Sequence, residues 1–201
     1  FIYLSTIHVY SDNPLGEISE DTPTTNSHPY AASHVVGENA VLMATRQEYT
    51  EGVVVRISNA FGSPVSKDVN CWMLLVNDLC KQAALNKSLV LHSNSEIVRN
   101  FITITDFCSV IELLMKNKDI DRIVNIVSSK SYTITEMAKK VQFNCYDVLG
   151  FEPPILSNIK LSKDLDLINF QTNYLNRVGF KLNSDFNLEI KKLISFCVKN
   201  F

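Results

Sequence analysis

His28-Pro29-Tyr30-Ala31-Ala32-Ser33-His34-Val35-Val36-Gly37-Glu38 reads as a helix entered through a proline. Proline suits the first helical turn, where its missing N–H is not needed. Tyr30, His34 and Glu38 recur every four residues, a spacing that stacks them on one helical face. Ala32, Val35, Val36, Ala40, Leu42 and Met43 supply apolar surface, and the helix is expected over about 30–49. A tyrosine and a titratable base one turn apart can act as a proton-transfer pair; an ordinary polar stripe on a surface helix has the same spacing.

The flanks make the stretch more specific. Upstream, Phe1-Ile2-Tyr3-Leu4 is a continuous apolar run, as in a strand buried on both faces, and it leads to the hydroxyls Ser5 and Thr6. A buried strand at the start of a chain is expected to have partners, supplied upstream or by another chain; the alternative is a poorly protected edge strand. Residues 11–29 are rich in Ser, Thr, Asp, Asn and Pro, which marks a loop. Residues 52–58 form the next strand, so helix 30–49 becomes a crossover between parallel strands. Further on, a helix is expected over about 69–85 and strands over 88–91, 97–103 and 122–127. Helices are expected from Thr105, as N-cap, to about 117, and from 134, capped by Thr133, to about 142. The last helix follows Ser184 and carries Phe186, Ile190, Leu193, Ile194, Cys197 and Phe201 at helical spacing. Residues 144–170 give no clear reading.

Composition narrows the classes. The chain has 201 residues, 46% of them hydrophobic, enough for a packed domain. A formal net charge of −2, with no basic cluster, argues against nucleic acid as a partner. No apolar run approaches the roughly 20 residues of a membrane span, and residues 1–5 lack the flank of a secretory signal. The five cysteines are scattered and odd in number. Together with four histidines without ligand spacing, they suggest a reducing, cytoplasmic setting and no metal. His8 and His92 lie in no pattern, and Arg56 and Asp106 read as structural residues.

Four motifs stand in order: the strand ending in Ser5-Thr6; Tyr30-x-x-x-His34; Arg56-Ile57-Ser58-Asn59-Ala60-Phe61-Gly62; and Arg99-Asn100-Phe101-Ile102-Thr103-Ile104-Thr105-Asp106. Together they resemble the extended short-chain dehydrogenase/reductases, in particular the NAD-dependent nucleotide-sugar epimerases and dehydratases. Glu20-Asp21-Thr22-Pro23 is similar to the acidic-Thr-Pro segment of that family. The resemblance covers the C-terminal part of the family's chain. It implies an α/β fold, a partial Rossmann-like parallel sheet without its N-terminal strands and Gly-rich loop, followed by a smaller substrate-binding lobe. Residues 1–66 would belong to the NAD-binding part and 67–201 to the lobe, with segments of about 88–127 returning to the sheet.

The resemblance also implies roles. Thr6 would hydrogen-bond the substrate hydroxyl being oxidised, beside Ser5 on the cofactor side. Tyr30 would be the acid/base, and Asn59 and Arg99 would hold the diphosphate end of a nucleotide sugar, where the planar fork of Arg suits phosphate oxygens. The helix at 30–49 would serve as a homodimer face.

Two departures qualify these roles. No Gly-rich phosphate loop occurs, so NAD binding by this chain alone is expected to be poor. The family's lysine is His34. A lysine about 5 Å from the tyrosine, at an effective dielectric of about 20, contributes roughly 3 kcal/mol, or about 2 pK units, toward ionising a phenol. An imidazole, ordinarily titrating near 6.5, supplies no permanent charge at neutral pH. Redox chemistry should then be weakened unless a carboxylate such as Glu38 holds the ring protonated. A non-catalytic binding or association domain is the alternative function, and a truncated product unable to fold alone is a third possibility.

Overall fold

The computed structural model of the chain describes residues 1–11, 16–92, 97–157 and 168–201. In chain order the elements are β1 (Ile2–Thr6), β2 (Gly16–Ile18), α1 (Pro29–Arg46), β3 (Val53–Ile57), β4 (Asn59–Phe61), α2 (Leu75–Asn86), β5 (Leu89–Leu91) and β6 (Val98–Thr103). Then follow α3 (Ile104–Lys116), β7 (Ile123–Ile126), β8 (Ser131–Thr133), α4 (Ile134–Leu149), β9 (Ile155–Ser157), β10 (Ile168–Phe170), α5 (Asn173–Arg177) and α6 (Phe186–Asn200).

The β1-α1-β3 unit is the frame of the site. β1 and β3 pair in parallel, Ile2 with Val53 through Thr6 with Ile57, and β7 joins the far side of β3 in parallel. Val53, Val55, Val124 and Ile126 pack with Ile102 of β6, Val110 and Leu114 of α3, and Tyr174 and Leu175 of α5. β-branched residues at these positions fit a pleated surface covered by helices.

A second parallel pairing sets Asn59 of β4 opposite Phe101 of β6, and β8 runs antiparallel along the other edge of β6. Beneath it α2, α4 and α6 form a helical core. Leu79 and Cys80 of α2, Met137, Val141 and Cys145 of α4, and Ile190, Leu193 and Cys197 of α6 are fully buried there.

Several boundaries differ from the sequence reading, each for a local reason. Thr103, not Thr105, caps α3: its hydroxyl accepts the Asp106 N–H at 3.0 Å. Thr105 instead lies inside the first turn and donates to Glu189 Oε2 at 2.8 Å, tying α3 to α6. Asp185 caps α6, while Ser184 donates to Asp106 Oδ1. Trp72 precedes α2, in turns, and its indole N–H donates to the Lys67 carbonyl at 2.7 Å. Thr133 does cap α4, in a reciprocal capping box with Glu136. That helix runs on to Leu149 and stops at Gly150, whose φ of +77° lies in the left-handed region that favours glycine. Part of the stretch the sequence left unread, 158–167, lies outside the described residues.

Candidate active site

The strand end, the helix face and a cleft meet around Tyr30. Thr6 ends β1 and its Oγ1 accepts the backbone N–H of His8 at 3.2 Å, which starts a single 3-10 turn over Ile7–Val9. The turn points the His8 ring toward α1, 6.4 Å centroid to centroid from the Tyr30 ring. Tyr30 lies in the first turn of α1, its N–H bonded to Nδ1 of the capping residue His28 at 3.2 Å. One helical turn on, the His34 ring meets Tyr30 edge to face at 4.8 Å. Tyr3 lies 6.2 Å from His34 on the other side. The Tyr3 phenol reaches α1 because position 37 is glycine; a Cβ there would fall 2.1 Å from its oxygen. Tyr30 is 52% exposed, so its phenol is open to a ligand.

Asn59 and Arg99, far apart in sequence, line one cavity of about 260 Å³ together with His8. Asn59 is fixed there by donating to the Asn100 carbonyl at 2.8 Å. His8 therefore links the two halves: it walls the cavity and abuts Tyr30. The sequence reading attached no role to it. Its signal was its place two residues after Thr6, just outside the carboxyl end of a parallel strand, where such sheets place ligands.

Glu38 departs from its expected company. It shares a helix face with Tyr30 and His34 but is buried and committed elsewhere. Arg56 of β3 donates to both its oxygens, through Nη2 at 2.7 Å and Nε at 3.0 Å, with side chains only 5% and 3% exposed. Ser5 donates to Oε1 at 2.5 Å. Glu38 is thus occupied by Arg56 and Ser5, and the suggestion that it holds a proton on His34 gives way to this pairing. Burial alone would lower the pKa of Arg56; hydrogen bonds to Glu38, with Tyr10 beside it, more than offset that and hold it above its ordinary value. The guanidinium also lies 4.8 Å from the Tyr10 ring, and Tyr10 donates to Asn125 of β7 at 2.7 Å. Burial pushes the Tyr10 phenol up. Below the strand end, then, is a satisfied polar network that locks β1, α1, β3 and β7 together.

The residues present fit one end of a dinucleotide. His34 Nδ1 is enclosed and has no partner among the described residues, a polar atom left over in the ring next to Tyr30. The Tyr30 phenol stands beside it. The pyrophosphate end has no counterpart: the six glycines are never closer than ten residues apart (Gly52 and Gly62), so this chain holds no glycine-rich turn. Among the described residues, no group of three or more His, Cys, Asp or Glu could hold a metal ion, and no helix is long and apolar enough to cross a membrane.

The architecture is that of a Rossmann-like α/β protein. A structure of UDP-N-acetylglucosamine 4-epimerase from Methanobrevibacter ruminantium M1, in complex with UDP-N-acetylmuramic acid, superposes with a TM-score of 0.80 at 21% identity. It covers all of this chain and 63% of its own. The dTDP-glucose 4,6-dehydratase of Bacillus anthracis, in complex with NAD, gives 0.75 at 20% identity, over 99% of this chain and 61% of its own. A model of the NAD dependent epimerase/dehydratase family matches residues 1–127, and the chain belongs to that family. In sequence it is 22% identical over 184 residues to a dTDP-glucose 4,6-dehydratase of Streptomyces niveus, which covers 90% of this chain and 53% of the relative. The chain therefore spans about half the length of that curated relative.

Proposed function

We propose that the chain is the substrate-facing part of an NAD-dependent epimerase or dehydratase acting on a nucleotide-activated sugar. The observation that carries this reading is the Tyr30–His34 ring pair beside the strand end, joined through His8 to the cavity of Asn59 and Arg99. Residues 1–66 form the part that faces the dinucleotide and 67–201 the substrate lobe. The pairing of β7 with β3 supports a return of the later segment to the first sheet.

In this reading NAD, when bound, supplies the hydride acceptor. Tyr30 and His34 hold its nicotinamide ribose, and the neighbouring Ser5 shapes the strand end on that side. Thr6 already accepts one hydrogen bond, and its own O–H remains to hold the sugar hydroxyl in place. Tyr30 takes the proton of that hydroxyl as its carbon is oxidised and returns it on reduction. Asn59 and Arg99 bind the diphosphate and so fix which carbon reaches Tyr30. α1 buries only Ala31 and Glu38 and exposes Val36 and Met43; that surface suits a second copy of the chain.

A second reading, a non-catalytic nucleotide-sugar-binding domain, is favoured by one observation: the position expected to carry a fixed positive charge is an imidazole with one enclosed nitrogen that has no partner among the described residues. Assay of the complete gene product separates the two. His34→Lys should raise turnover at pH 7 at least tenfold over a measurable starting rate, and Tyr30→Phe should abolish it. An equal or lower rate for His34→Lys would show that the imidazole is adapted to the reaction. No turnover in either form, with nucleotide-sugar binding intact, would select the binding domain.

A further inference from the structure

The two walls of the cleft at Asn59 and Arg99 are held differently. Beside the larger cavity, these residues line a smaller one of about 90 Å³, with Phe61 of β4 and with Met73 and Leu74, which lead into α2. Phe61 is buried and meets the ring of Phe186, the first residue of α6, edge to face at 5.1 Å. Met73 and Leu74 are 77% and 45% exposed. Leu74 is the N-cap of α2, a position that favours Ser, Thr, Asp or Asn, and its side chain makes no capping bond. Buried Asn77 holds Cys71, donating to its Sγ at 3.4 Å. Trp72 carries the hold outward. Its ring stacks on Phe196 of α6 at 6.1 Å and meets Phe201 edge to face at 5.0 Å. Lys81 of α2 sets its ammonium 4.0 Å from the Phe201 ring and 5.4 Å from the Trp72 ring, attracting both. Helix α6 thus grips both walls, through Phe186 at its start and through Phe196 and Phe201 at its end. Neither Trp72 nor Phe201 lines the cavity; they reach it through Met73, the next residue along the chain.

We infer that Trp72, clasped by Phe196 and Phe201, is a positioning residue for the cleft: it sets where Met73 and Leu74 stand against Arg99. The ligand is the nucleotide sugar, an assignment that rests on the function proposed above. With the exposed apolar pair already in place, ligand binding does not have to order that wall, and affinity gains accordingly.

The variants Phe201→Ala and Phe201→Tyr test this role. Trp72 is the only tryptophan in the sequence, so its fluorescence reports its own ring. In Phe201→Ala, acrylamide should quench it more strongly, and the methyl NMR signals of Met73 and Leu74 should shift. Calorimetric affinity for UDP-glucose should fall roughly three- to thirtyfold, the range for substitutions that act on a site from a distance. Phe201→Tyr, which keeps the ring, should match the unsubstituted chain in all three. Quenching, methyl signals or affinity left unchanged in Phe201→Ala overturns the inference. Methyl shifts spread equally over α4 also overturn it, since they mean general loosening. If the unsubstituted chain binds no UDP-glucose, the proposed function fails; the positioning role then stands or falls on the methyl signals, which need no ligand.

Discussion

Two residues on one face of α1, eight positions apart, have opposite fates. Glu38 is buried, doubly bonded to Arg56 and capped by Ser5. Tyr30 is half open and lies beside two imidazole rings, His34 on its own helix and His8, which lines the cavity shared by Asn59 and Arg99. The same periodicity produced both, so spacing alone does not separate a structural anchor from a reactive group. What separates them is the partner strand. Parallel pairing puts Arg56 opposite Ser5, under Glu38. Tyr30 lies at the helix N-terminus, where the strand has ended and the cleft begins.

This difference should appear most strongly in stability. Arg56→Ala or Glu38→Ala strands a buried charge, and breaking such a pair costs about 3–5 kcal/mol. For a chain of this size that lowers the melting temperature by roughly 6–20 °C. Tyr30→Phe, at an exposed ring, should change stability by only about 0.5 kcal/mol, and His34→Ala, at a half-buried ring, by more than that but less than Glu38→Ala. Calorimetric melting of all four variants would break the comparison if Tyr30→Phe proved as costly as Glu38→Ala. The paired change Glu38→Leu/Arg56→Met sharpens it. It should cost far less than either alanine, since replacing both members of a buried pair is often nearly neutral.

Gly37 lies between the two regimes. Gly37→Ala forces the Tyr3 phenol away from the helix. We expect a loss of about 1–3 kcal/mol, the usual cost of overpacking, along with displacement of Tyr3 from the His34 ring. Unfolding curves and the aromatic NMR signals of Tyr3 and His34 would report both.

A further effect concerns pH. Burial raises Cys145 to about 11, Cys197 to about 12, and Cys80 and Tyr10 in the same direction. The unfolded chain releases these protons at lower pH than the folded one. Above about pH 9 it binds fewer protons, and stability falls as pH rises toward 12. Urea titrations at pH 8 and 10 should show the decline, which is absent between pH 6 and 8 for these groups.

Much of the fold was legible because it rests on local signals. The valine run at 53–55, the proline entry to α1 and Thr133 as the cap of α4 each specify their own element. The short strands β2, β9 and β10 were not legible. Each has three residues and exists through a distant partner, as Gly16–Ile18 does through Ile168–Phe170. The candidate site divides in the same way. Thr6, Tyr30, His34, Asn59 and Arg99 could be named from motifs. The Glu38–Arg56–Ser5 anchor, the place of His8 in the cleft wall and the α6 rings around Trp72 could not, because contacts between strands and helices distant in sequence create them.

The most direct measurement follows side-chain NMR signals while the chain is titrated with UDP-glucose. The rings of Tyr30, His34 and His8 and the side chain of Arg99 should shift together and saturate, while the Arg56 Nε–H stays in place. Saturable binding that moved Arg56 and left the three rings unchanged would contradict the division of α1 into a buried anchor and a ligand-facing end.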